Sequence, residues 1–384
     1  MKVSRSFFVF SLIAVLAAAL ATWACTSVYT IWMIRSKSAD PLYRFTRGDR
    51  AGYIDRTGKI VITPRFDTGG GNYGGEFHNG LLEIGDSDGE YVNNQGRTAI
   101  RTKLYRGWDF SEGLAAAMPE EDGKWGYIDP SGKFVISPRF DAYPAGLVSD
   151  FSEGLAKIEV KEGVGYIDRR GEFAIPPRFA RGENFSDGMA AVVVDGPCFY
   201  VDRGPCPNFG AAPLAFRGDT TNRADCKYTF IDKTGQIIPG ARYDAVKDFS
   251  EGLAAVLVAD LWGYVDKTGA MVIAPKFADA SQFADGLALI RSDKQYGYID
   301  RSGALAITPQ FTYAEDFSGG LAVVSDNPNV QYWYIDRSGK PATGKKYALA
   351  SHYFEDLAHV RLLEPSNTFA YIDKTGKEVF RYRP

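Results

Sequence analysis

The chain has 384 residues, of which 45% are apolar and 24% charged, and its formal net charge is -3. This composition excludes a disordered or collagen-like chain and supplies enough apolar residues for a large core. Residues 40–384 carry 40 basic and 47 acidic groups. We expect so acidic a body not to bind nucleic acid, because phosphate neutralisation requires clustered Lys and Arg.

The first feature along the chain is an uncharged segment of 28 residues, 7–34. As a helix rising about 1.5 Å per residue, it is long enough to cross a hydrocarbon core of about 30 Å. We therefore predict a basic tail at residues 1–6, a transmembrane anchor or signal peptide at 7–34, a linker at 35–50 and a folded body at 51–384.

We favour a location in the inner membrane. The chain would cross the membrane once, and its body would lie outside the cytoplasm, in the periplasm. Three alternatives stay open: secretion after cleavage near Ala19-Leu20-Ala21, a lipoprotein modified at Cys25, and a body that faces the cytoplasm. The last is favoured by basic residues just beyond the segment, such as Arg35 and Lys37, under the positive-inside rule.

The folded body contains a repeat. The motif GYIDRTGKIVITPRF begins at Gly52, and similar copies begin at Gly126, Gly165, Gly263 and Gly297, with weaker copies elsewhere. A second motif, typified by FSEGLAAAM at Phe110, lies between the copies. A fixed period changes the meaning of every residue within it, so a residue found in each unit is expected to serve the unit.

Each copy contains a turn of the form Asp-x-x-Gly. The Asp side chain is suited to capping a type I turn, and the Gly supplies the positive φ that completes a short hairpin. The sequence thus predicts one hairpin per unit, formed by the GYID and kvvI segments and ended by the Pro that follows. The turn residues that we single out are Asp55, Gly58, Asp129, Gly132, Asp266, Gly269, Asp300 and Gly303.

These units resemble the WG repeat, also called the KWG repeat, of many bacterial proteins. The resemblance rests on the GYID, Asp-x-x-Gly and FSEGLA segments and covers the chain from near Ala51 to its end, although Trp-Gly itself survives only at Trp125-Gly126 and Trp262-Gly263. It implies an all-β repeat module, often attached to membrane segments and used for binding.

The predicted fold is an array of about nine three-stranded units. Since a propeller blade normally has four strands in about 40 to 45 residues, and no split unit is evident, we favour an open twisted stack, similar to a β-solenoid. A closed ring, similar to a β-propeller, is the alternative. The tyrosines of the GYID segments are predicted to lie in the core.

A row of basic residues follows the prolines: Arg65, Arg139, Arg178 and Lys276. If the units stack in register, this row forms a ladder that could bind an anionic polymer. The competing interpretation is that these residues form ion pairs with acids of neighbouring FSEG segments.

The repeat is interrupted at residues 195–227, which contain Cys198, Cys206 and Cys226 within 29 residues. We predict a surface insertion with a local disulfide, while free thiols and a zinc site stay open as weaker alternatives. No cofactor or catalytic residue is predicted.

We therefore expect a non-catalytic, membrane-anchored scaffold that binds a protein or polysaccharide of the bacterial envelope. The contact surface is expected to be the repeat surface or the cysteine-containing insertion. An envelope enzyme acting on glycans and a structural spacer are the alternatives.

Overall fold

The computed structural model describes residues 41–68, 75–84, 90–101, 104–121, 123–141, 148–195 and 226–384. Within these ranges the chain forms 32 strands and no helix. The strands pair antiparallel in nine sheets, each continuous in sequence. We name the sheets blades 1 to 9 in chain order.

The strands of each blade have the following bounds. Blades 1 to 3 contain β1 (Tyr43–Arg47), β2 (Arg50–Ile54), β3 (Ile60–Asp67); β4 (Leu81–Ile84), β5 (Glu90–Asn93), β6 (Thr98–Arg101); and β7 (Arg106–Gly107), β8 (Ala115–Met118), β9 (Lys124–Ile128), β10 (Phe134–Asp141). Blades 4 to 6 contain β11 (Val148–Ser152), β12 (Leu155–Val160), β13 (Gly163–Ile167), β14 (Phe173–Phe179); β15 (Arg181–Gly182), β16 (Met189–Asp195), β17 (Lys227–Asp232); and β18 (Ala245–Val246), β19 (Leu253–Val258), β20 (Leu261–Asp266), β21 (Met271–Phe277). Blades 7 to 9 contain β22 (Asp279–Ala284), β23 (Leu287–Ser292), β24 (Gln295–Ile299), β25 (Leu305–Phe311); β26 (Tyr313–Ala314), β27 (Leu321–Asn327), β28 (Gln331–Asp336); and β29 (Leu349–Phe354), β30 (Leu357–Arg361), β31 (Phe369–Asp373), β32 (Glu378–Tyr382).

The FSEG motif forms a hairpin that the sequence analysis did not assign. In blade 4, Ser152 and Leu155 pair across the two-residue turn Glu153-Gly154, in which φ is 53° and 87°. Positive φ at both central residues is characteristic of a type I′ turn, whose twist matches that of the strands it joins. A complete blade therefore has a fourth strand, which precedes the FSEG turn.

Neighbouring blades are joined by the buried tyrosines of the GYID strands. Tyr166 of blade 4 is fully buried, and its hydroxyl donates a hydrogen bond of 2.7 Å to the backbone carbonyl of Glu183 in blade 5. Its ring packs edge-on against Phe185, with the ring centroids 4.9 Å apart. Equivalent hydrogen bonds to the next blade are made by Tyr91, Tyr127, Tyr264, Tyr298 and Tyr334.

Blade 9 in turn packs against blade 1. The Tyr371 hydroxyl donates to the Arg44 carbonyl, and the rings of Phe45 and Phe380 lie 4.9 Å apart between centroids. The fold is therefore a closed, nine-bladed β-propeller.

The prediction of an open stack is wrong, and the closed-ring alternative is confirmed. Two features of the structure explain the difference. The strand before each FSEG turn is irregular and as short as the two residues of β15 or β18, so the sequence of a unit shows only three strand patterns. The ring also closes by packing of side chains between complete neighbouring sheets, so it needs no split unit.

The GYID strand requires its glycine because the next strand, which is the outer strand of the blade, lies close to it. A Cβ on Gly263 would lie 2.5 Å from the Ile273 carbonyl oxygen and 2.7 Å from the Pro275 nitrogen. The outer strand bulges at this point, where its register against β20 shifts. The proline therefore lies within the outer strand, at the bulge, and does not end it as predicted, because an unpaired edge tolerates the missing N–H.

Blade 1 begins at Tyr43, within the residues 35–50 that the sequence analysis assigns to a linker. The predicted segments 1–6 and 7–34 lie outside the described residues. In the part of the chain that the structure describes, no helix is long and apolar enough to span a membrane. Most of the predicted insertion, residues 196–225, also lies outside it, between the adjacent strands β16 and β17 of blade 5.

Candidate functional site

The structure places the Asp-x-x-Gly residues in the turn between the third and fourth segments of each blade. The Asp129 carboxylate accepts hydrogen bonds from the Ser131 hydroxyl at 2.5 Å and the Ser131 amide at 2.9 Å, and Gly132 has a φ of 81°. The hydrogen bonds from Ser131 lower the pKa of Asp129 below its usual range. These contacts occupy the carboxylate within its own turn, as they do at Asp55, Asp266 and Asp300.

The predicted basic row lies between blades. Arg178 donates to the carbonyl of Gly235 at 2.5 Å, and Lys276 donates to the carbonyl of Gly303 at 3.3 Å. Arg65 and Arg139 make the same contact with the turn glycines of blades 2 and 4. These side chains thus reach the Asp-x-x-Gly turn of the following blade, where the sequence analysis expected FSEG acids.

The FSEG acids pair with a different set of bases. Glu153 of blade 4 accepts the Gly188 amide of blade 5 at 2.8 Å and lies 3.1 Å from the Lys233 ammonium, also of blade 5. Asp187 makes the corresponding contact with Lys267 of blade 6. The base that follows the turn aspartate therefore forms the ion pairs between blades.

A set of carboxylates that the sequence analysis missed lines the inner edge of the ring. Each belongs to the residue immediately before the aromatic residue of an FSEG-type motif, and we call the set the inner carboxylates: Glu76, Asp109, Asp150, Asp248 and Asp316. In the same position blades 5, 7 and 9 carry Asn184, Gln282 and His352. The signal in the sequence was this single column, in which polar residues change from unit to unit.

Electrostatic interactions show that this position lies on the inside of the ring. Burial raises the pKa of Asp248 in blade 6 and of Asp316 in blade 8. Lys157 of blade 4 reduces the shift at Asp248, and Lys247 of blade 6 reduces the shift at Asp316. Interactions that skip a whole blade are possible only where the blades converge on the axis. The segments that precede the FSEG turns therefore surround the centre of the propeller.

Burial raises the pKa of Asp109, Asp150, Asp248 and Asp316, and repulsion by a second acid adds to this effect at Asp109 and Asp150. Burial, with a smaller contribution from Asp109, raises the pKa of Asp150 to about 6. Burial, with a smaller contribution from Asp109, also raises the pKa of Glu83, on strand β4 of blade 2, to about 8. Asp109 is itself half-exposed and lies 3.5 Å from His78. Blades 2 to 4 therefore bring several ionisable acids together at a partly buried surface.

Some oxygen atoms of this surface lack a donor. Among the described residues, nothing donates a hydrogen bond to the buried atoms Asp150 Oδ1, Asp316 Oδ1 or Glu315 Oε2. No three His, Cys, Asp or Glu side chains of these residues are placed to share a metal ion. An unpaired buried acceptor is costly.

The predicted disulfide cannot be placed, because Cys198 and Cys206 lie outside the described residues, and it stays a prediction. Cys226 directly precedes β17. The insertion therefore emerges from the hairpin between the second and third strands of blade 5.

The protein is therefore a β-propeller that is built from short β repeats and has the inner carboxylates around its axis. Comparison with known proteins identifies the repeat. The sequence profile of the WG containing repeat matches residues 52–82, 125–163, 165–196, 228–262, 262–295 and 296–327, just over half of the chain. The chain belongs to the WG-repeat family.

No curated protein sequence matches the chain. A crystal structure described as a eukaryotic initiation factor superposes with a TM-score of 0.58 at 13% identity, covering 89% of this chain and 96% of its own. AztD from Citrobacter koseri superposes with a TM-score of 0.43 at 11% identity, over 89% of this chain and 94% of its own. At 13% identity, the similarity to the initiation factor structure shows the fold alone.

Proposed function

We propose that this protein is a non-catalytic scaffold of the bacterial cell envelope that binds a Lys- or Arg-rich segment of a partner protein at its inner carboxylates. The observation that carries the proposal is that four inner carboxylates around the propeller axis are partly buried and have a raised pKa: Asp109, Asp150, Asp248 and Asp316. A repeat β-propeller is in itself suited to protein binding and scaffolding.

The different contacts made by the three groups of acids support this proposal. The turn aspartates and the FSEG acids are hydrogen-bonded or ion-paired within the framework. These four inner carboxylates instead pay a desolvation cost, which a bound cation offsets by favouring the ionised form. Ammonium and guanidinium groups spaced along a chain can reach acids on several blades, which a compact ligand cannot.

The predicted basic row is a weaker candidate for ligand binding. Its members already donate to glycine carbonyls of the next blade, and this framework contact accounts for a base at the same position of each unit. Charge reversal at Arg65 and Arg139 tests this alternative, which fails if a folded variant binds anionic polymer as before.

The test of the main proposal uses the full chain and a fluorescent peptide of ten lysines. We expect Asp109→Asn combined with Asp150→Asn to weaken peptide binding at least tenfold at low salt. A matched control, Asp141→Asn combined with Asp293→Asn, changes two exposed acids away from the inner edge and should leave binding unchanged. Equal affinities of the two double variants would refute the proposal.

An enzyme acting on envelope glycans is the second candidate. It is favoured by the proximity of Asp109 to Asp150, whose pKa of about 6 suits proton transfer near neutral pH. Release of labelled sugar from peptidoglycan by the wild-type chain, abolished by Asp150→Asn, would support this candidate over the first.

The envelope location rests on the uncharged segment 7–34. We propose an inner-membrane anchor with the propeller in the periplasm. A membrane-impermeant thiol reagent on intact cells tests this: labelling of Cys198, Cys206 or Cys226 only after reduction supports a periplasmic, disulfide-linked insertion. Labelling only after lysis, without reduction, supports a cytoplasmic body with reduced thiols.

A further inference from the structure

The interface between blades 4 and 5 contains a cavity that the proposed function does not use. Its volume is about 370 Å3, and it is lined by Arg178, Phe179, Val194, Gly235, Gln236 and Ile237. This size lies at the small end of the range for ligand pockets. The cavity can therefore hold a small molecule, and it lies away from the inner carboxylates.

One cation stands over an apolar floor in this cavity. The Arg178 guanidinium lies 5.0 Å from the centroid of the Phe179 ring and uses Nη2 to donate to the Gly235 carbonyl. A guanidinium carries five N–H donors in a planar fork, so this bond leaves donors for a ligand. Phe179 is buried, and Val194 and Ile237 are half-buried.

The corresponding interface between blades 3 and 4 shows what is missing. There Arg139 makes the same contacts with Phe140 and the Gly171 carbonyl, and it also forms an ion pair with Glu172 at 3.2 Å. In blade 5 the residue that follows the turn glycine is the neutral Gln236. Among the described residues, Arg178 has no carboxylate partner.

We propose that this cavity binds a small organic carboxylate. The carboxylate takes the place that Glu172 fills beside Arg139, because planar guanidinium and carboxylate groups match as bidentate partners. The apolar part of the ligand packs against Phe179, Val194 and Ile237. The inference is independent of the proposed function, since it concerns an anion at the blade 4 to blade 5 interface.

Ligand-observed NMR with benzoate as the probe tests this inference on the full chain. We expect benzoate binding to the wild type and at least a tenfold loss in Arg178→Met. Gln236→Glu should cause the same loss without deleting a framework residue, because it supplies the ion pair seen at Arg139. Arg139→Met, which changes the matched arginine at the blade 3 to blade 4 interface, should bind benzoate as the wild type does.

Thermal melting of each variant checks that it is folded. Absence of benzoate binding to the wild type, or binding that survives both Arg178→Met and Gln236→Glu, would overturn the inference. Binding of the ten-lysine peptide should be unaffected by either variant, so failure here and failure of the proposed function are distinguishable.

Discussion

The hydroxyl of Tyr371 donates a hydrogen bond of 2.5 Å to the backbone carbonyl of Arg44, 327 residues earlier in the chain. At seven of the other eight blade interfaces the equivalent tyrosine binds a carbonyl next to the FSEG turn of the following blade, as Tyr127 binds Ser149, while blade 5 carries Phe230 in this position. Among the described residues blade 1 lacks that inner strand, and the tyrosine bonds directly to β1. The ring thus closes through the same residue that joins its other blades.

The tyrosine hydroxyls are expected to contribute to stability. Tyr127→Phe leaves the buried Ser149 carbonyl without its donor, which should lower the free energy of unfolding by about 1 to 3 kcal/mol. Chemical denaturation measures the change. In Tyr105→Phe the lost bond is to the exposed Glu121, so a change below about 0.5 kcal/mol is expected there. Similar losses in both variants would contradict the assigned role.

The bulge of the outer strand predicts intolerance of a side chain at Gly263. Gly263→Ala places a Cβ against backbone atoms of Ile273 and Pro275, and we expect a loss of about 1 to 3 kcal/mol in the free energy of unfolding, as for an overpacked site. In blade 5 the corresponding residue is Thr229, whose buried hydroxyl has no donor or acceptor among the described residues. Thr229→Ala serves as the control and should cost less than Gly263→Ala.

The ion pairs between FSEG acids and turn bases are interrupted at blade 8. Gly319 replaces the acid there, and a Cβ at this position would lie 2.7 Å from the Lys374 ammonium, the flexible end of its side chain. Gly319→Glu should be more stable than Gly319→Gln by up to about 1 kcal/mol at low salt, because only Glu supplies a charge. The comparison cancels the shared cost of a side chain at a φ of 62°. A difference that persists at high salt would show that it is not electrostatic.

The raised pKa of Asp150 predicts a pH dependence. Its folded pKa is about 6, against about 3.9 in an unfolded chain, so the folded protein binds the extra proton between these values. The contribution of Asp150 to stability is therefore present below about pH 4 and is lost as the pH rises through 6. Asp150→Asn should raise the melting temperature at pH 7.5 and have a smaller effect at pH 4. A variant that is less stable at pH 7.5 would contradict the burial argument.

Much of the framework could be predicted from the sequence, since it depends on local chemistry. Turns such as Asp129 to Gly132, the hairpins that they close and the buried tyrosines all follow from residues adjacent in the chain. The inner strand could not be predicted, because residues such as Arg181 and Gly182 of β15 have no strand-like pattern. Ring closure could not be predicted either, since it depends on the angle at which complete sheets pack.

The sites show the same limit. The basic row at Arg65 and Arg139 was visible as a repeated residue, but its carbonyl partners lie in another blade. The inner carboxylates have the opposite character: Asp150, Gln282 and His352 share one position with different chemistry, and only the ring brings that position to a common axis. The proposed binding site therefore lies at residues that vary within the repeat and not at residues that recur.

A double-mutant cycle across the blade 9 to blade 1 contact tests whether the ring is closed. Phe45→Leu and Phe380→Leu are made singly and together, and the free energy of unfolding is measured for each. Because the rings are 4.9 Å apart and edge-on, we expect a coupling energy of about 0.5 to 1.5 kcal/mol. Additive effects of the two substitutions would mean that blades 1 and 9 do not touch, and the closed propeller would be refuted.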